Sequence, residues 1–159
     1  MGTYRYTRNI EASIIDALTV NFTADWSNIN VEKTYARVYE ISLPTICVRV
    51  GTTRHDPVEI GDNNTWRHAQ LLIDVFGSDD GNKLDLTDYI VKKIKKGFIY
   101  YDYVITAGVV DTQTPNGRIR VNSIDVTPVN FNDDRNNLDK HDRFRNLITA
   151  EISLGRVES

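Results

Sequence analysis

The residues best suited to chemistry are carboxylates near strands, three scattered histidines, one cysteine and a run of lysines. Asp56, Glu59 and Asp74 could supply the acids of a metal-dependent nuclease, which sets an acid on one strand and Glu-x-Lys on the next. No Glu-x-Lys tripeptide lies in or beside a predicted core strand, so the lysine such a site needs is missing. His55, His68 and His141 share no short metal-ligand spacing, and there is no paired cysteine. Asp79-Asp-Gly-Asn82 lacks the alternating acids and closing glutamate of a calcium loop and reads as a turn. No glycine-rich phosphate loop and no G-x-S-x-G elbow is present. Cys47, the single cysteine, lies in the apolar run Ile46-Cys-Val48, the setting of a buried small hydrophobe rather than a nucleophile. The expectation is a protein without a catalytic centre, metal or cofactor.

The basic residues offer a different chemistry. Lys92, Lys93, Lys95 and Lys96 crowd the end of a predicted helix, where cations meet the negative end of its dipole. Arg118 and Arg120 fall on one face of a predicted strand. Their ordinary role is solvation; their functional role is contact with DNA phosphate or a protein partner, and Lys92, Lys93, Lys96, Arg118 and Arg120 are the candidates. The Tyr100-Tyr-Asp-Tyr103 group reads as strand packing before it reads as a base-stacking platform.

These side chains must be placed by a small set of elements. Trp66–Phe76 has the length and β-branched content of a strand, apolar on both faces as a central strand requires. Gly77–Asn82 breaks it, Asp85 is the expected cap of the next helix with Asp88 near its positive end, and Leu86, Ile90 and Ile94 form that helix's apolar stripe. Gly97 is the expected stop, and Phe98–Ile105 the next strand. Upstream, Ile10, Ile14, Leu18 and Phe22 step by four along a first helix, with Asn9 or Thr7 as its cap. Thr34–Glu40 and Thr45–Val50 read as strands, and Gly51–Asn64 as a loop with a short strand at Val58–Ile60. Pro115-Asn-Gly117 marks Asp111–Gly117 as the turn of a hairpin joining Phe98–Val110 to Arg118–Val129. Within that last strand the apolar phase moves after Ser123, which predicts a bulge, a strong twist or a strand end. Residues 130–142, with Asp133, Asp134, Arg135 and Lys140, form the most polar stretch, an expected exposed loop. Phe144, Ile148, Ala150, Ile152 and Leu154 mark a closing strand.

The order predicts a single α+β domain over 1–159, with a mixed, mainly antiparallel sheet and two helices packed on one face. A net charge of −3 argues against a surface wholly devoted to nucleic acid, and no apolar run approaches the ~20 residues that span a bilayer. The N-terminus lacks the apolar core of a signal peptide.

The chain resembles the tail terminator (tail completion, or neck) proteins of tailed bacteriophages. The likeness is carried by the helix at 9–22, the strand at 66–76, the Asp-Gly turn at 80–81 and Leu84-Asp-Leu-Thr-Asp-Tyr-Ile90. It continues in the aromatic strand at 98–104 and the closing strand Arg143-Phe-Arg-Asn-Leu-Ile-Thr-Ala-Glu-Ile152. The resemblance implies a structural virion protein that closes into a homohexameric ring, caps the tail tube and forms the head-joining surface at the tail–head junction. Its partners would be copies of itself, the tail tube protein with the sheath as a further candidate, and head-completion or connector proteins. DNA would pass through the lumen without sequence-specific binding, and assembly would take place in the host cytoplasm, with no membrane involved. No catalytic residue comes with the family. Asp133, Asp134, Arg135 and Lys140 would serve as an inter-ring loop. The alternatives are another neck or head-completion connector and, from a different class, the small nuclease weighed above.

Overall fold

A computed structural model describes residues 5–26, 29–32, 42–61, 63–129 and 144–158. In chain order they form α1 (Tyr6–Asp25), β1 (Asn30–Glu32), β2 (Thr45–Pro57), β3 (Thr65–Phe76), α2 (Asp80–Ile94), β4 (Phe98–Thr106), β5 (Val109–Pro128) and β6 (Arg145–Glu158). The fold is α+β, with a mixed six-stranded sheet in the order β1-β2-β3-β6-β5-β4. β1 and β2 run parallel; the other four neighbouring pairs are antiparallel.

Both helices form where their apolar stripes dictate. Ile10, Ile14, Leu18 and Phe22 of α1 and Leu86, Ile90 and Ile94 of α2 are buried. They share one continuous cluster with Ile46, Leu71, Ile73, Tyr100, Ile148 and Ile152 from four strands of the sheet. Each fully buried aliphatic side chain contributes roughly 1.5–3 kcal/mol. α1 has no side-chain cap and no acid in its first turn, so packing rather than capping holds it in place. Asn9 and Thr7, the expected caps, lie inside the helix instead.

α2 starts earlier than expected. Asp79, not Asp85, is the N-cap: its Oδ1 accepts the Asn82 N–H at 2.7 Å, and Asn82 Oδ1 accepts the Ser78 N–H at 3.1 Å. Asp79 reaches the first free amides of the helix, whereas Asp85 and Asp88 come a turn or more later, where the amides are already bonded. At the far end Gly97 has φ +75. A Cβ there would stand 2.5 Å from the Ile119 carbonyl oxygen, so the turn into β4 requires glycine twice over.

The strands depart from expectation in two places. β2 does not end at Val50; it runs through Gly51 to Pro57, absorbing a register shift between Val50 and Thr53 against β3. Val58–Ile60 belongs to the turn region and not to a strand. The hairpin after β4 turns at Ala107 and Gly108, both at positive φ, between paired Thr106 and Val109. Asp111–Gly117, expected as the turn, is strand. Pro115-Asn-Gly117 is taken up by a register shift between Ile99 and Tyr101, with Gly117 at φ +104. The phase change near Ser123 is a register shift between Val121 and Ser123 against β6. The expected strand at Thr34–Glu40 lies outside the described residues.

Candidate functional site

The acids proposed for a nuclease are held apart. Asp74, on the β3 side opposite Ile73 and Val75, is 1% exposed. Its Oδ1 accepts from Arg145 Nη2 at 2.9 Å and its Oδ2 from Arg49 Nη2 at 3.3 Å. Asp56 pairs with Arg54 at 3.1 Å and with His68 at 3.1 Å, and His55 sits 3.4 Å from the Thr65 hydroxyl. Among the described residues no three His, Cys, Asp or Glu side chains gather as a metal site. His141 lies outside the described residues. Cys47 is fully buried beside Phe76, and burial together with the nearby Asp74 pushes its thiol up to about 11. It is a core residue, not a reactive thiolate.

The basic residues do come together. α2 ends at Ile94, Gly97 turns the chain, and β4 pairs with β5 so that Arg118 faces Ile99. Arg118 Nη2 donates to the Lys96 carbonyl at 3.1 Å, fixing its guanidinium over the turn. The result is an open cleft of about 470 Å³ between α1, the end of α2 and the β4–β5 ribbon. Lys93, Lys96 and Arg118 line it with Ala17, Val20, Ile99, Tyr101 and Gln113, and Asp16 is the single carboxylate present. Asp16 accepts the Tyr103 hydroxyl at 2.6 Å. Lys93 is 3.4 Å from Asp25 and lies over the Tyr89 ring at 5.4 Å. Bonds from Tyr89 and Lys93 hold the Asp25 carboxyl below its ordinary range. Among the described residues Lys96 and Arg118 have no carboxylate partner. Lys92 is exposed and outside the cleft, and Arg120 reaches away, its Nε 3.5 Å from where a Gly155 Cβ would stand. The stripe expected of Arg118 and Arg120 is therefore divided between two places.

The tyrosine group is structural. Tyr100 is buried and its hydroxyl accepts from Asn9 Nδ2 at 3.2 Å, while the Tyr101 N–H donates to Ser13 Oγ at 3.0 Å. α1 thus lies along the outer edge of β4. Burial raises the Tyr100 and Tyr103 hydroxyls well above the ordinary phenol range.

Beyond Tyr103 the ribbon is held by fewer elements, with Ile105 and Val110 lining a second cleft against Arg8, Ala12 and Ile15 of α1. β4 pairs with β5 from Val109 to Ile119, and β6 pairs with β5 from Ile119 to Pro128. β5 changes partner half-way, so among the described residues its first half has no strand on the β6 side. Val104, Val109 and Val110 on this arm are 52%, 68% and 53% exposed. The sequence placed a turn inside the arm and so missed it. Asp133, Asp134, Arg135 and Lys140 lie outside the described residues.

No family model and no curated protein matches this chain.

Proposed function

We propose that this chain is a structural ring subunit of a bacteriophage virion at the tail–head junction. Copies close around a hollow axis, as a hexamer in the family it resembles, end the tail tube and offer the head a surface to join. The reading takes both helices to cover one face of a mainly antiparallel sheet, leaving the opposite end of the sheet to project. The arm of β4 and β5 carries the argument: a two-stranded ribbon that, among the described residues, has no further strand on its flanks and that bears three exposed valines is an adhesive element. A ring formed by rotation joins one surface to a different surface of its neighbour, and a projecting arm supplies one of the two. The carboxylates engaged with arginine at Asp74 and Asp56 favour this reading over the nuclease.

Light scattering and negative-stain microscopy of the purified protein, alone and with isolated tail tubes, test it. Rings are expected, and changing Val109 and Val110 to Asp abolishes them while the fold persists. A subunit that stays single beside tail tubes, or metal-dependent cleavage of DNA lost in Asp74→Ala, overturns the proposal.

A further inference from the structure

We infer that the cleft between α1 and β4 is a docking site for an acidic, extended peptide segment of a partner protein. Its charge is the first ground. Lys93 is paired with Asp25, but Lys96 and Arg118 have no carboxylate partner among the described residues, and Asp16, the one carboxylate lining the cleft, is already bonded to Tyr103, in a chain whose net charge is −3. A local excess of positive charge on an acidic protein selects anionic partners.

The backbone is the second ground. The Tyr101 N–H points out of the sheet, since it reaches Ser13 on α1. The two-residue repeat of a strand turns the N–H and C=O of Ile99 the same way, toward the cleft. Among the described residues no backbone bond beyond the sheet takes them. An extended segment laid beside Ile99 gains main-chain hydrogen bonds, the mode by which peptides add to a sheet edge. It can run only as far as Tyr101, where Ser13 closes the edge.

Shape is the third. The cations stand on the wall made by α2 and β5, and Ala17 and Val20 stand on the α1 wall. An extended chain sends alternate side chains to opposite sides, so carboxylates alternating with aliphatic groups satisfy both walls. DNA offers phosphate to the cations but nothing to the α1 wall or to the Ile99 edge. The volume of about 470 Å³ falls in the range of ligand clefts, ~300–1,000 Å³.

This inference is independent of ring formation and is read on the full chain in whatever oligomeric state it holds. The probe is a fluorescein-labelled peptide of alternating Glu and Leu, followed by anisotropy, with an alternating Lys and Leu peptide and a labelled DNA oligonucleotide alongside. The Glu–Leu peptide is expected to bind and the Lys–Leu peptide not to. K96E with R118E weakens binding roughly tenfold, while K92E, in the last turn of α2 but outside the cleft, changes it less than about twofold. Amide exchange at Ile99 slows when the Glu–Leu peptide is bound. No binding of that peptide, binding unchanged in the double variant, unchanged exchange at Ile99, or DNA bound more tightly and lost in the same double variant would each overturn the proposal.

Discussion

The molecule holds two clusters of charge, and they are built in opposite ways. Around Asp74 the charges are closed in: a carboxylate 1% exposed is fixed by Arg145 and Arg49, with the Arg145 guanidinium 4.9 Å from the Phe76 ring centroid. Around Lys96 and Arg118 the charges are open to water and lack carboxylate partners among the described residues. The first group must satisfy itself, because an unpaired buried ion costs several kcal/mol. The second can leave its valence to a visitor, because water screens it until one arrives. Charge that stabilises and charge that recognises are thus separated by depth.

The sharpest way to break this contrast is at its buried end. Asp74→Ala removes the buried carboxylate that both Arg145 and Arg49 bond and is expected to cost about 3–5 kcal/mol in urea unfolding. Alkaline pH probes the same region through Cys47. Its folded-state value near 11 exceeds the ordinary 9.0, so its contribution is complete below pH 9 and is lost as pH rises toward 11. Stability is expected to fall across that window by about 2 kcal/mol on account of this thiol, and Cys47→Ala flattens that part of the profile. Gly97→Ala, at the turn that builds the open cleft, adds a Cβ against the Ile119 carbonyl at positive φ and is expected to cost roughly 1–3 kcal/mol. Asp79→Ala removes the cap of α2 and costs about 1 kcal/mol by the same measurement. Lys96→Ala with Arg118→Ala should move stability by less than about 0.5 kcal/mol, and a larger loss would show that the open cluster is structural after all.

Local patterns in the sequence made half of this architecture readable. The stripes of α1 and α2, the central strand, the stop at Gly97 and the irregularity near Ser123 each follow from spacing or from one residue's backbone freedom. The departures share a physical cause, in that a nearby signal was outweighed by pairing with a distant strand. Pro115-Asn-Gly117 has the chemistry of a turn, yet β4 accommodates it as an irregularity while Ala107, an unpromising residue for positive φ, makes the turn. Gly51 does not end β2 because β3 continues beside it. The lysine run and Arg118 were each visible as basic. That Lys93 and Lys96 join Arg118 while Lys92 and Arg120 do not depends on the register of β4 against β5, which no short stretch records. The bonds of Asp74 span 25 and 71 residues and leave no mark in either neighbourhood.

One property of β5 reaches further. The strand is twenty residues long and trades one neighbour for another at Ile119. Arm and body are therefore not linked by a tether. Val109 at the tip and Pro128 beside β6 lie on one continuous strand, and the exchange of neighbours falls at Ile119, against whose carbonyl Gly97 is packed.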